Sequence, residues 1–248
     1  MDAKFVDVHA HISDKAFDSN RRDLVEKLSD FIVLNSGENP EDNIKILADS
    51  KKYPNLLPCI GLHPNYVSAS GDNEVSAGLE FLSENMGEAF AMSEIGLDYR
   101  GKDEHQISVQ KAVFGRALEM CEASRKACIV HSRKAIVDML DMLQSYKCKA
   151  VIHNFEGNQS HYSRTLEKGI FISISTGFIK YKRDNLIKKL DLSNVFVETD
   201  SPVLSPTEEI NTPLNLPKIL NYISMIHNME ESELKSVIYG NFKRAFYG

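Results

Sequence analysis

The sequence predicts an α/β fold, a distorted (β/α)8 TIM barrel that spans the chain as one domain, residues 1–248. Eight short apolar runs rich in β-branched residues recur along the chain, and a stretch with helical spacing follows most of them. Continuous apolar runs of this length are typical of parallel strands buried on both faces. Eight of them favour a closed barrel over an open doubly wound sheet. The runs are residues 5–8, 31–34, 56–60, 89–92, 128–130, 150–152, 170–174 and 195–197.

The stretches between the runs carry helix signals. Asn39 is a good N-cap residue, and Pro40 follows it at the first helical position. Gly169 is a good stop for the stretch before it. The predicted helices include one that begins at Pro40 and others over residues 109–123, 159–168, 215–228 and 231–246. The sequence has no G-x-G-x-x-G motif and no P-loop, which excludes the usual dinucleotide and nucleoside-triphosphate sites.

The composition is that of an ordinary soluble globular protein, with 42% hydrophobic and 26% charged residues. A formal net charge of −6 argues against a broad basic surface for nucleic acid, but it allows an enzyme that meets phosphates through metal ions in one cleft. The four cysteines have no C-x-x-C spacing, and no apolar run resembles a signal peptide or a membrane span. We therefore expect a cytoplasmic monomer with neither a membrane nor a protein partner.

Histidines and acids gather where the predicted strands end. Five of the eight histidines lie at such ends, together with acidic residues. In a closed barrel these ends converge on one rim, where active sites form. The first pair, His9 and His11, lies two apart on a strand, so both imidazoles point the same way. The residues at the rim are His9, His11, His63, Glu94, His131, His153 and Asp200.

This collection has the chemistry of a metal site. Imidazole suits several divalent transition metals, and carboxylates add hard oxygen donors. Four histidines and two carboxylates are too many for one tetrahedral ion with an open position, but they suit two ions about 3.5–4 Å apart that share a carboxylate. Without metal, such a buried cluster would be costly, which favours a metal site over a structural network.

The sequence resembles the TatD family of metal-dependent deoxyribonucleases, within the amidohydrolase-like barrels. The matching segments run through nearly the whole chain: DVHAH, GLHP, SEIGLDY, VHSR, IHNFEGN, VETDSP and the closing GNFKRAFYG. The resemblance implies a divalent-metal phosphodiesterase that acts on DNA, often as a 3′→5′ exonuclease. It also implies that His9, His11 and Asp200 hold one ion, that His131 and His153 hold a second, and that Glu94 bridges the two. The ions would be Mg²⁺, Mn²⁺ or Zn²⁺.

Three residues receive catalytic roles in the resulting hypothesis. The metals lower the pKa of a bound water, Asp200 orients that water or takes its proton, and Glu94 holds the metal pair together. His63 lies outside the implied ligand set and has two open interpretations: a phosphate contact or proton donor, or a rim histidine that holds the GLHP turn. Arg133 is either a phosphate clamp or an exposed arginine on the first turn of a helix.

The sequence departs from the family pattern in places. Ala10 and Asn154 stand where relatives often have cysteine. The segment Ile210-Asn211-Thr212-Pro213 replaces R-N-E-P and lacks its arginine and glutamate. If that arginine holds a phosphate in relatives, substrate affinity or choice will differ here.

Other residues near the rim have two interpretations each. For the cations after strand seven, a solvated loop is favoured over a contact with the DNA backbone. For the aromatic residues, a cover over the barrel top is favoured over stacking on a base. Asp7 and Asp98 either orient ligand histidines or are exposed or capping residues. The cations are Lys180, Lys182 and Arg183, the aromatic residues are Phe155, Phe178 and Tyr181, and the histidines expected outside the site are His105, His161 and His227.

Competing functions come from two classes. Related barrels hydrolyse amides, lactones or phosphotriesters, or deaminate bases, but the fourth strand offers Glu94 rather than a bridging lysine, which favours phosphodiester chemistry. A metal-binding scaffold without catalysis is the second alternative, and the presence of all six implied ligands gives it no support.

Overall fold

The computed structural model describes residues 3–248 and contains one sheet of eight parallel strands in sequential order. The strands are β1 (Phe5–Ala10), β2 (Phe31–Ser36), β3 (Leu56–Ile60), β4 (Ala91–Asp98), β5 (Cys128–Arg133), β6 (Ala150–Ile152), β7 (Phe171–Ser175) and β8 (Val195–Glu198). Helices separate the strands in the chain, as the alternation of apolar runs and helical stretches predicts. The (β/α)8 barrel is therefore confirmed.

Eleven α-helices lie within the described residues, and several match the predicted positions closely. They are α1 (Arg21–Glu26), α2 (Pro40–Ser50), α3 (Pro64–Ala69), α4 (Asp72–Asn85), α5 (Glu104–Ser124), α6 (Ile136–Leu143), α7 (Gln159–Glu167), α8 (Phe178–Tyr181), α9 (Asp184–Ile187), α10 (Leu216–His227) and α11 (Glu231–Phe246). Asn39 caps α2 as predicted, because its side chain accepts a hydrogen bond from the Asp42 amide. Helix α5 begins five residues earlier than predicted, at Glu104, behind a capping box of Asp103 and Gln106.

The barrel closes between β1 and β8 through a few specific hydrogen bonds. The amide of Asp200 donates to the His9 carbonyl over 3.0 Å, and the His11 amide donates to the Ser201 carbonyl over 2.7 Å. The carboxylate of Asp7 reinforces the closure, since it accepts from the backbone amide and the hydroxyl of Thr199 at 2.9 and 2.6 Å. These bonds bring the site residues of the first and last strands side by side.

The predicted distortion is present, and it falls at the site. The pairing register of β1 with β2 shifts between Asp7 and Ala10, and that of β4 with β5 shifts between Met92 and Ile95. His9 and Glu94 lie inside these two shifted segments. Irregular pairing re-aims side chains near active sites, which accounts for the placement of these two residues.

Three further expectations concern the cysteines, the lack of a membrane-spanning segment and the number of domains. All four cysteines are free, and Cys59, Cys121 and Cys128 are buried. No helix among residues 3–248 is long and apolar enough to cross a membrane. The organisation of residues 1–248 as one domain stays a prediction.

Candidate metal centre

The carboxylate of Glu94 lies at the centre of the predicted residues, at the carboxyl end of the barrel. Its Oε2 atom is 3.4 Å from His9 Nε2 and 3.6 Å from His11 Nε2. Its Oε1 atom is 2.8 Å from His131 Nδ1 and 2.9 Å from His153 Nε2. The two oxygens of this buried carboxylate therefore face different imidazoles.

The first group consists of His9, His11 and Asp200. The two Nε2 atoms are 3.1 Å apart, and they lie 3.6 and 3.5 Å from Asp200 Oδ1. Neighbouring ligands on one cation, with bonds of about 2.0–2.2 Å, are separated by about 3.0–3.5 Å. The spacing of this group therefore fits one divalent ion.

The second group consists of His131, His153 and the other oxygen of Glu94. His131 Nδ1 is 3.2 Å from His153 Nε2, again the separation of two ligands on one ion. His63 Nε2 approaches the same Glu94 oxygen at 3.5 Å, although the sequence placed His63 outside the ligand set. The structure thus brings together all seven residues predicted for the rim. Their roles as ligands stay a prediction.

Ser36, at the end of β2, holds both histidines of the first group. Its carbonyl oxygen accepts a hydrogen bond from His11 Nδ1 over 2.9 Å, and its hydroxyl lies 3.0 Å from His9 Nδ1. Because a carbonyl oxygen can only accept, the hydrogen of neutral His11 sits on Nδ1, and the lone pair of Nε2 faces Glu94 and Asp200. Sequence reasoning missed Ser36, although β2 ends in the two polar residues Asn35 and Ser36.

Two acids face the outer nitrogens of the second group. Asp98 Oδ2 is 3.4 Å from His131 Nε2, which agrees with the predicted role of Asp98 as an orienting partner. Glu198 Oε1 is 3.5 Å from His153 Nδ1, and the sequence analysis gave Glu198 no role. His131 Nε2, His153 Nδ1 and Glu198 Oε1 are buried without a hydrogen bond to any described residue. Asp7, the other candidate, approaches only the backbone amide of His9, at 3.4 Å, and serves the barrel closure.

The electrostatics of the centre favour ionised carboxylates. Burial alone would raise the pKa of Glu94, but His153, His63 and His9, together with the hydrogen bond from His131, hold that pKa well below its usual range. Burial would likewise lower the pKa of His11, but the hydrogen bond to Asp200 and the charges of Glu94 and Asp200 raise it to about 10. A cation bound by the neutral ring would therefore take the place of the proton on Nε2. Ionised buried carboxylates among imidazoles form a donor set that fits a divalent cation.

His63 has features of both interpretations, as a residue that holds the GLHP turn and as a hydrogen-bond donor at the site. Its Nδ1 accepts a hydrogen bond from the Asn65 amide over 3.0 Å and so caps α3 and holds the turn. Burial lowers the pKa of His63 to about 4, so the ring is neutral at physiological pH. With Nδ1 accepting, the hydrogen lies on Nε2, which points toward Glu94. A neutral ring can donate this hydrogen bond without carrying an extra proton.

The centre opens into two cavities. One of about 200 Å³ is lined by His11, Glu38 and His63. The other, of about 270 Å³, is lined by His131 and Arg133 among others. His153 and Asp200 line both cavities. A larger groove of about 570 Å³ lies at the opposite end of the barrel, against Phe31 and Tyr247, away from every histidine of the centre.

The positions that depart from the family pattern are structural or exposed. Asn154 has φ 42° and accepts a hydrogen bond from Ser175. Asn211 is fully buried and donates to the carbonyls of Thr199 and Val203, so it fastens the loop after β8. Ile210, in the place of the family's arginine, is 59% exposed. Arg133 ends β5 and lines a cavity of the centre, so the alternative that placed it on the first turn of a helix is wrong.

Replacing Ser36 with alanine should weaken metal binding about 10- to 100-fold, because partners that orient ligand histidines contribute at this level. The variant loses the hydroxyl beside His9 and keeps the carbonyl that binds His11. A titration against a chromogenic chelator measures the affinity. Ser50→Ala is the matched control, because among residues 3–248 the Ser50 hydroxyl bonds only to the Leu47 carbonyl within α2. Equal affinities for the two variants would contradict the role of Ser36.

Comparisons with known proteins extend over the whole chain. The model of the family described as TatD related DNase matches residues 6–247. An uncharacterized metal-dependent hydrolase of Methanocaldococcus jannaschii is 34% identical over 99% of this chain and 98% of its own length. The human deoxyribonuclease TATDN3 is 27% identical over 97% of this chain and 94% of its own. The crystal structure of YjjV, a TatD homologue from Escherichia coli, superposes with a TM-score of 0.89 at 22% identity, with 100% of both chains covered.

Proposed function

The chain belongs to the TatD-related DNase family of metal-dependent hydrolases, and we propose that it hydrolyses the phosphodiester bonds of DNA. The observation that carries the proposal is the Glu94 carboxylate, whose two oxygens face different groups of imidazoles. A carboxylate so placed is suited to bridge two divalent ions. Two ions are the arrangement that clamps both the attacking and the leaving oxygen of a phosphoryl group.

The proposed ligands divide between the two ions. His9, His11 and Asp200 would hold one ion, His131 and His153 would hold the other, and Glu94 would be shared. Mg²⁺, Mn²⁺ and Zn²⁺ all suit such a mixed set of nitrogen and oxygen donors. When bound, the ions supply a water of lowered pKa and positive charge against the phosphoryl oxygens.

The side chains of the centre complete the proposed mechanism. Asp200 lies between the two cavities, and its pKa is lowered because the hydrogen bond of His11 and the nearby imidazoles outweigh burial. It therefore acts as the ionised base that takes the proton of the attacking water. His63 donates its Nε2 hydrogen to a phosphoryl oxygen, while Nδ1 stays fixed by Asn65. Arg133 binds a phosphate at the rim of the larger cavity.

The composition of β4 supports phosphodiester chemistry over the other reactions of related barrels. This strand supplies Glu94 and contains no lysine that a bridging modification would need. We further propose 3′→5′ exonucleolytic cleavage by a monomer in the cytoplasm. The four free cysteines support a reducing compartment.

The test is an assay of the purified protein on 5′-labelled single-stranded DNA after treatment with chelator. We expect no cleavage by the stripped protein and recovered cleavage when Mg²⁺, Mn²⁺ or Zn²⁺ is restored. A ladder of products that shortens from the 3′ end would support the proposed polarity. Tight metal binding with no metal-dependent nuclease, phosphatase or esterase activity would overturn the proposal in favour of a metal-binding scaffold.

A further inference from the structure

Three aromatic residues follow β6 and β7 near the centre, and the structure separates them sharply. Phe155 is fully buried and Phe178 is 2% exposed, so both belong to the core, as the favoured interpretation expects. Tyr181, in contrast, is 66% exposed. It is the aromatic residue of this group that a ligand can reach.

Tyr181 stands at the entrance of the centre. It lines the cavity of about 270 Å³ together with His131, His153 and Asp200. Its ring lies close against Gly177, since a Cβ atom at position 177 would stand only 3.2 Å from Tyr181 Cε2. A glycine at this position therefore leaves room for the ring beside the site.

The segment that carries Tyr181 is basic. Residues 180–189 contain five cations and one acid, in a chain of net charge −6. Arg183 ties the segment to the loop after β6, because its guanidinium donates to the carbonyls of Phe155 and Gly157. Lys180 is occupied by the Thr207 carbonyl and by Glu208. These two cations are therefore structural.

Three other lysines of the segment are available. Lys182, Lys188 and Lys189 are exposed and line a groove of about 580 Å³ whose lining also includes Asp184. Lys182 follows Tyr181 directly in the chain. Within the described part of the chain, no carboxylate lies within ion-pair distance of any of the three. A groove in which cations outnumber acids, next in the chain to an exposed aromatic ring, is a combination that binds single-stranded nucleic acid.

We propose that Tyr181 stacks on an unpaired base next to the scissile phosphate, and that Lys182, Lys188 and Lys189 bind the backbone phosphates beyond it. The inference rests on the proposed function and adds the residues that would hold the DNA strand beside the centre. Only a base that has left the duplex stack offers a free face to Tyr181, so this contact requires an unpaired base.

The test compares a normal DNA strand with an abasic strand of the same length and charge. Both carry phosphorothioate linkages that resist cleavage, and fluorescence anisotropy reports their binding to the full-length metal-loaded protein. Tyr181→Ala should raise the Kd of the normal strand about 5- to 100-fold and leave that of the abasic strand unchanged. Tyr181→Phe should bind like the unmodified protein, because the stacking face is kept. Tyr247→Ala, an exposed tyrosine at the opposite end of the barrel, is the matched control.

Replacement of the three lysines should change DNA binding in a different way from Tyr181→Ala. Their joint replacement by alanine should raise the Kd of both strands alike and reduce the slope of log Kd against log salt concentration by about 2. Equal binding of the normal strand by Tyr181→Ala and the unmodified protein would overturn the role of Tyr181.

The binding and cleavage results together separate this inference from the proposed function. Cleavage of DNA by the unmodified protein with no effect of Tyr181→Ala sinks only the inference. Tyr181-dependent binding without cleavage sinks only the nuclease. A protein that neither binds nor cleaves DNA sinks both.

Discussion

Asp200→Asn should lower kcat about a thousandfold or more while the barrel stays folded. The substitution removes the base and one negative ligand, and general-base catalysis alone contributes about 10²–10⁴-fold. Asparagine has the same shape, and the closure of the barrel at this residue uses its backbone amide, which donates to the His9 carbonyl. We therefore expect the variant in chelator to keep the circular dichroism spectrum of the folded barrel, with a lower thermal unfolding midpoint because the charge beside His11 is lost.

The control for this prediction is Asp191→Asn. Asp191 caps the short turn that leads into β8, at the far end of the same strand, and asparagine can form the same cap. Its kcat should equal that of the unmodified protein. If Asp200→Asn kept more than about a tenth of the turnover, a role as general base would be excluded, because the loss would fall below that contribution.

Glu94→Gln should abolish turnover and strip the protein of its metal. The carboxylate contacts both groups of imidazoles, and a glutamine replaces one of its oxygens with an NH2 group that cannot bind a cation. The substitution also removes a buried charge that histidines compensate. Breaking a buried pair in this way costs about 3–5 kcal/mol. We expect a loss of this order in the free energy of unfolding of the metal-free protein.

Metal content and chemical denaturation in chelator measure the two effects of Glu94→Gln independently. Glu41→Gln is the control, since Glu41 is exposed and, within the described part of the chain, pairs only with Lys45 one helical turn away. Such a surface pair contributes less than about 1 kcal/mol. A Glu94→Gln protein that kept both its metal and its stability would contradict the central position of Glu94.

The sequence predicts the barrel and the gathering of histidines and acids at its rim because both depend on local signals. Parallel strands buried on both faces leave continuous apolar runs, and the convergence of strand ends follows from closure alone. His9, Glu94 and Asp200 could therefore be assigned to one rim without knowledge of any distance.

The residues that were missed depend on neighbours that only the closed barrel defines. Ser36 contacts His9 and His11 because β2 pairs with β1, and Glu198 faces His153 across β7 and β6. The sequence does not show which histidine a serine or a glutamate at a strand end will contact. The early start of α5 is a different case, because the capping box at Asp103 was readable in the sequence.

The solvent exposure of the aromatic side chains could not be predicted from the sequence either. Phe178 and Tyr181 lie in the same turn of helix, yet one is buried and the other is mostly exposed. A helix of four residues has too short a pattern to define its buried face. This is why only the structure shows that Tyr181 is the exposed aromatic residue at the entrance of the site.

Glu94 is proposed to bridge two ion sites, and an anomalous difference map of Mn²⁺-loaded crystals tests this most directly. We predict two peaks, one among His9, His11 and Asp200 and the other between His131 and His153, both in contact with Glu94. A single peak, or peaks that do not contact Glu94, would contradict the claim.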